Sequence, residues 1–449
     1  MTTGRPATVL ALAAFLASMF LVTSTQAAAQ SKARIVRLSD VEGSVQIERS
    51  SSEGLEKAFL NMPVIEGSRL KTGDQGRAEI EFEDGSTVRI GGNTELVFTR
   101  LALADDGGKL NGAELRSGTF YANVHEKKGD QFDVSFGGES LNVPQAAHFR
   151  LVMEEPQRAT VAVFKGSVSA TGPMGKFEVA EKHHASIDLV ATDATKENAF
   201  VVAKNYDQDP LDGWDRQQDN YHDHHAAVAA GGSGFSSPYG YGMSDLSYYG
   251  AFNMIPGYGF GWQPFFMDAA WNPFMDGAWA FYPGFGYLWV SGYPWGWMPY
   301  NYGMWGFAPG YGWYWQPGGW NKFSGTPRVV NAPPGLKLPV APTGGHQTLL
   351  VGRGLMSITY VNPGKLTIRP GSAGFGVPRG SVNHLDHTAK AMEHNARPVT
   401  VSTVRPAESQ GSGFGGGVPG HGASSGRMAT AAPTHSSGNT GGARSGPHK

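Results

Sequence analysis

The sequence predicts an all-β protein: a β-sandwich or roll, then a small module of aromatic β-hairpins, then a disordered C-terminal tail. Three observations carry this. Short apolar–polar alternations punctuated by turns fill residues 34–190. A Trp-, Tyr- and Gly-rich motif repeats within 245–325. Residues 403–449 are almost wholly Gly, Ser, Ala, Pro and His, too poor in apolar surface to offset chain entropy.

The alternation is clearest from Ala78 to Ile90. Ala78, Ile80 and Phe82 interleave with Glu79, Glu81 and Glu83, the period of a half-buried strand, and Val88 and Ile90 continue it on the return. Opposed residues of an antiparallel pair share a face, so Ile80 meets Val88 only across an odd-length loop. Glu83-Asp84-Gly85 supplies one, with Gly85 in the left-handed position, and this register sets Glu79 opposite Arg89. Similar runs at Gly43–Ile47, Thr119–Val124, Phe132–Val134 and Thr160–Phe164 predict further strands.

In the aromatic stretch, Pro256-Gly257-Tyr258-Gly259-Phe260-Gly261-Trp262 returns as Pro283–Trp289 and again as Pro309–Trp315. Trp271, Pro273, Gly277, Trp279 and Phe281 recur 26 residues later as Trp297, Pro299, Gly303, Trp305 and Phe307. Pro-Gly suits the centre of a type II turn, with proline fixing φ and glycine accepting φ > 0. Each unit is therefore expected to be a hairpin with an aromatic face. Only Asp245, Asp268, Asp276 and Lys322 are charged between 245 and 325, and proline or glycine interrupts every apolar run, which excludes a membrane helix there.

Composition bounds the rest. Arg5, the apolar run Ala7–Val22 and the small residues Ala27-Ala28-Ala29 read as a secretory signal peptide over 1–29, so the mature chain is expected to be exported, to the periplasm, the cell envelope or outside the cell, with no transmembrane helix after cleavage. The absence of cysteine excludes disulfides, thiol catalysis and thiolate metal sites. Thirty-six basic residues against 38 acidic give no field for nucleic acid, and none is expected as a partner. Residues 205–240, polar and aperiodic, are expected to be a linker, and 326–402 short strands and loops, with strands around Gln347–Val351 and Met356–Val361.

The strand segments resemble the FecR-type domain. Gly43-Ser-Val is similar to its opening strand, Leu70-Lys-Thr-Gly-Asp through Val88-Arg-Ile90 to its central signature, and Leu115–Tyr121 and Val163–Val168 to its later strands. The resemblance covers about residues 34–190 and implies an exported β-domain. Its best-known members are transmembrane regulators that carry a surface signal to a cytoplasmic sigma factor. Six residues precede the apolar run here, so that cytoplasmic segment is not expected and the sigma-factor role does not transfer. The aromatic repeat resembles a Trp/Tyr/Gly-rich region found behind such domains in some envelope proteins.

Site candidates follow. No nucleophile elbow, zinc-protease motif or phosphate-cradling loop is present, so catalytic residues, and an enzyme, are not expected. Glu79, Glu81 and Glu83, with the pairs Asp105-Asp106 and Glu154-Glu155, read as a solvated outer face rather than as general acids and bases. His222, His224 and His225 around Asp223, and the weaker His183-His184, have metal-ligand chemistry but sit in the expected linker, so no metal or other cofactor is expected. The aromatics serve either as the core of the repeat or as faces that stack on sugar rings. On the second reading Trp262, Trp289 and Trp315 are the ligand contacts and the partner is a wall or surface polysaccharide. An envelope protein partner, with this chain as one component of a signal sensor, is the alternative, and a mechanical scaffold is a third.

Overall fold

The structure is a computed structural model describing residues 34–49, 54–125, 127–154, 158–173, 175–190, 199–232, 236–344, 349–352, 355 and 364–404. The expected signal peptide, the tail from 405 onward, Glu155 and the strand around Met356–Val361 lie outside the described residues.

Strands dominate, as expected, and the first half is a two-layered β-structure. The hairpin Arg77–Glu81/Thr87–Ile90 has the register that the alternation requires: Ile80 opposes Val88 and Glu79 opposes Arg89, with Gly85 at φ 88°. One long strand, Lys109–Val124, belongs to both sheets. Its first half pairs with Glu95–Leu103 and, in parallel, with Gln131–Phe136; its second half pairs with Thr87–Ile90 and Ala147–Glu154. The switch occurs at Gly118, where φ is 88° and a Cβ would meet Thr94 Oγ1 at 2.3 Å, so only glycine lets the strand turn this corner. Leu38, Ile80, Val88, Ala122, Phe149 and Val163 oppose one another in successive strands and face the other sheet, which supplies Leu70, Leu96, Leu115 and Val134 to the same core. Strand pairing runs past the expected limit at 190, since Phe200–Lys204 adds to the edge at His183–Asp188.

Residues 205–240 correct the expectation of a structureless linker. Helix α1 spans Asp212–Gly232, with the acidic residues Asp212 and Asp215 in its first turn. Its buried side mixes the polar Asp215, Gln218, Asp219 and His222 with only two large apolar side chains, Trp214 and Tyr221. A continuous apolar stripe was therefore not there to be read.

The three Pro-Gly units are hairpins: Gly250–Ile255/Gly259–Pro264, Gly277–Tyr282/Gly286–Ser291 and Met304–Ala308/Gly312–Gln316. Gly257, Gly284 and Gly310 have φ of 80°, 81° and 84°, and in each turn the N–H two residues after the proline donates to the carbonyl of the residue before it, as a type II turn requires. The first and third hairpins join edge to edge through Trp262 opposite Trp315; the second forms its own sheet with Leu349–Val351. Val329–Val330 pairs with Met304–Ala308, so the repeat recruits strands from beyond 325. Helix α2 (Met243–Tyr249) precedes the hairpins, the single turn α3 (Met298–Asn301) lies between the second and third, and α4 (Leu385–Asn395) falls in a region expected to hold only strands and loops. One apolar cluster runs continuously from Ile35 to Met392, so the two halves share a core. Among the described residues no helix is long and apolar enough to cross a membrane.

Candidate functional site

The outward face of the sheet that holds Val36–Glu42, Arg77–Glu81, Thr87–Ile90 and Ala147–Glu154 is polar and buried. Alternation sends Arg37 and Ser39, Glu79 and Glu81, Arg89, Tyr121 and Asn123, and His148 and Arg150 to this side, away from the sandwich core. Helix α1 lies along one part of it and α2, with the segment around Arg379, along another. The expected solvated carboxylate row is thereby overturned: Glu79, Glu81 and Glu83 are 0%, 1% and 8% exposed. A sheet that is covered on both sides can still alternate apolar with charged residues when the covering layer brings counter-charges.

Glu79 is the hub. Its Oε1 accepts hydrogen bonds from Arg379 Nη1 (2.6 Å) and Ser39 Oγ (2.7 Å) and lies 2.9 Å from His222 Nε2; its Oε2 accepts from Arg89 Nε at 2.8 Å. Arg89 continues the chain to Asp215 (2.7 Å) and Asp219 (2.8 Å) on α1, and His148 closes on Asp215 at 2.7 Å. Arg379 reaches the other way, to both oxygens of Asp245 on α2 and to the Ser39 carbonyl, with its guanidinium 4.9 Å over the Tyr221 ring. Asp245 also takes Arg37 (2.5 Å) and the Tyr221 hydroxyl (2.8 Å). Arg37 bonds Glu81, the Pro294 carbonyl and Asn61, whose amide donates to the Ser291 and Tyr293 carbonyls of the aromatic half. These contacts stitch together four parts of the chain that lie far apart in sequence.

The electrostatics follow from this pairing. Burial pushes the Glu79 carboxyl up, but His222, Arg379 and Arg89 together hold it well below the usual carboxylate range. Asp215 and Asp245 are also lowered: burial raises each, and the arginines beside them win. Glu81 goes the other way, because burial outweighs His222 and Arg37. Asp40 is the outlier. Burial and the Glu42 and Glu79 carboxylates push its pKa from 3.8 to about 7, against Arg379 and Arg77.

That value gives a pH dependence of definite sign. Unfolded, Asp40 ionises near pH 4; folded, it keeps its proton to about 7. Its contribution is therefore full below pH 4 or so and is lost as pH rises through about 7. Glu79, Asp215 and Asp245 act oppositely, stabilising above the ordinary carboxylate range and weakening the fold as pH falls. Asp40→Asn should raise the urea midpoint, more at about pH 8 than at about pH 5. An equal shift at both would show that Asp40 is ionised throughout.

His148, Asp215 and Asp219 bring potential metal-ligand atoms within 4.8 Å of one another. The guanidinium of Arg89 already bonds both carboxylates, so a cation fills that position and the set fits no metal.

The sequence-derived ligand candidates fall elsewhere, and in the core. Trp262 and Trp315 are fully buried and Trp289 is 3% exposed. Trp262 donates through Nε1 to the Leu246 carbonyl and packs 4.8 Å from the Trp295 ring; Trp315 donates to the Tyr302 carbonyl; Trp289 packs edge-on to Trp279 and Phe274. Their faces are not presented to a sugar, which corrects the expectation of surface stacking. The repeat has few aliphatic residues, so its indoles must build its interior. His222 points to Glu79, whereas His224 and His225 line a separate cleft. The seam residues could have been suspected from one signal: acids at Asp215, Asp219 and Glu79 with bases at Arg37 and Arg89, each at a structural period.

Fold and site together define an all-β module whose FecR-like sandwich and aromatic region share one buried ionic seam. Residues 68–169 match the family described as "FecR protein", and residues 243–333 match the "Family of unknown function (DUF6600)". The chain thus carries a FecR domain, as the resemblance implied, followed by the aromatic region. No curated protein matches. Two crystal structures of one protein from Parabacteroides distasonis, described as a "putative anti-sigma factor", at 1.65 and 2.50 Å, each align at 16% identity and a TM-score of 0.27. Each alignment covers 32% of this chain and 63% of that protein, so the chain spans less than two thirds of its length.

Proposed function

We propose that the protein is a non-catalytic, exported component of a bacterial envelope sensor that acts with a separate protein partner. The observation that carries this reading is the match of residues 68–169 to the FecR protein family. The seam supports it: a change in the aromatic half would reach the FecR-like sheet through Arg379 and Asn61, which both halves hold. Export rests on the Arg5 to Ala29 pattern. The polysaccharide reading is weaker, because its three proposed contacts are core residues.

The test is photo-crosslinking in intact cells. A crosslinking residue replaces Val201, 58% exposed on the edge strand Phe200–Lys204, and a second replaces Met254, 71% exposed on the first aromatic hairpin. A discrete adduct with one membrane protein, lost when that protein is deleted, is the expected result. Absence of any protein adduct, with the purified chain retained on insoluble peptidoglycan, would replace this reading by the polysaccharide one.

A further inference from the structure

We propose that His384, Asp386 and His387, facing His224 and His225 across a cleft, form a site for a divalent transition-metal ion of the zinc and copper class. The argument begins with convergence. His224 and His225 lie on α1, while His384, Asp386 and His387 open α4, some 160 residues later. The fold brings His224, His225, His384 and Asp386 to the walls of one cleft of about 490 Å³.

Two of these, His384 and Asp386, join His387 at the start of α4: one potential ligand atom from each of the three lies within 4.8 Å of the others. His384 is held at φ 53°, and its ring lies 5.1 Å from that of His387. Imidazole nitrogen with one carboxylate oxygen is the donor set that borderline divalent ions prefer; magnesium or calcium would call for more oxygens. On the facing wall His225 is wedged between Tyr221 and Tyr248, at ring distances of 4.8 and 5.1 Å, which fixes its ring as a ligand-orienting shell does. Asp386 Oδ2 lies 3.6 Å from His387 Nε2 and 3.8 Å from Lys390 Nζ, the lysine on a side chain 73% exposed, so an ion displaces the lysine at little cost.

An ion held there that also takes a nitrogen of His224 or His225 would tie α1 to the segment that carries Arg379, the two elements that Glu79 already holds from the sheet side. Metal occupancy and the ionic seam are then mechanically linked. The site stands on its own geometry and does not depend on the partner proposed above.

The experiment is calorimetric titration of the full mature chain, made without a polyhistidine tag, with Zn²⁺ and separately with Mg²⁺. His384→Ala/His387→Ala and His224→Ala/His225→Ala are titrated beside it. His394→Ala, on the same helix, is the control, and circular dichroism verifies that every variant is folded. The wild type and the control should bind one Zn²⁺ more tightly than any Mg²⁺, and the first double variant should lose about 100-fold in affinity. The second should lose about 10-fold or more. His421, His435 and His448 in the tail supply a background common to all variants, which the comparison subtracts. Zn²⁺ binding left unchanged in the folded double variants, saturation by Mg²⁺ at the same concentration, or no Zn²⁺ binding by the wild type would overturn the site.

Discussion

Glu79→Ala should lower the unfolding free energy of the full chain by about 3–5 kcal/mol, the cost of breaking a buried ion pair by removing one partner. The carboxylate is fully buried and is shared by Arg379, Arg89, Ser39 and His222. Its removal leaves two guanidinium groups in a buried interface without their common acceptor. Urea unfolding followed by tryptophan fluorescence reads the effect. Glu178→Ala, at an exposed position on the strand Gly175–Ala180, should change stability by no more than about 0.5 kcal/mol. Added salt should recover little of the Glu79 loss, because buried pairs are weakly screened. A change at Glu79 as small as that at Glu178 would mean that water reaches the seam.

Trp262→Ala should be comparably damaging, by about 3–5 kcal/mol, as for a large aromatic truncated in a packed core. The indole is fully buried, opposes Trp315 across the strand pair and bonds the Leu246 carbonyl of α2. Trp262→Phe should cost less, since it keeps the ring packing and loses the hydrogen bond and part of the volume. Thermal unfolding by circular dichroism ranks the three proteins. A Trp262→Ala protein with native stability that had lost retention on a polysaccharide would instead restore the ligand-contact role.

These expectations show which features were legible in the chain. The Ala78–Ile90 hairpin could be placed residue by residue, because alternation and the Glu83-Asp84-Gly85 loop fix one register between them. The Pro-Gly turns were equally legible, because proline and glycine constrain φ locally and need no tertiary partner. Helix α1 was not. Its buried side sets Asp215, Asp219 and His222 beside only Trp214 and Tyr221, and the polar residues look like a solvated stretch until a polar sheet face is set against them. The strand row Glu79–Glu83 looks solvated for the same reason, seen from the other side.

By itself, then, the sequence determined the β-class, the register of its clearest hairpin, the threefold aromatic unit and the FecR-like character of the first half. Each depends on short-range periodicity or on backbone preferences of single residues. Only the tertiary structure decided which faces meet water. It sent Trp262, Trp289 and Trp315 inward, buried the carboxylates of the sheet under α1 and Arg379, and gathered His224, His225 and His384 around one cleft. Burial of a charge is set by whether a counter-charge arrives from a distant part of the chain, and local pattern carries no record of that arrival.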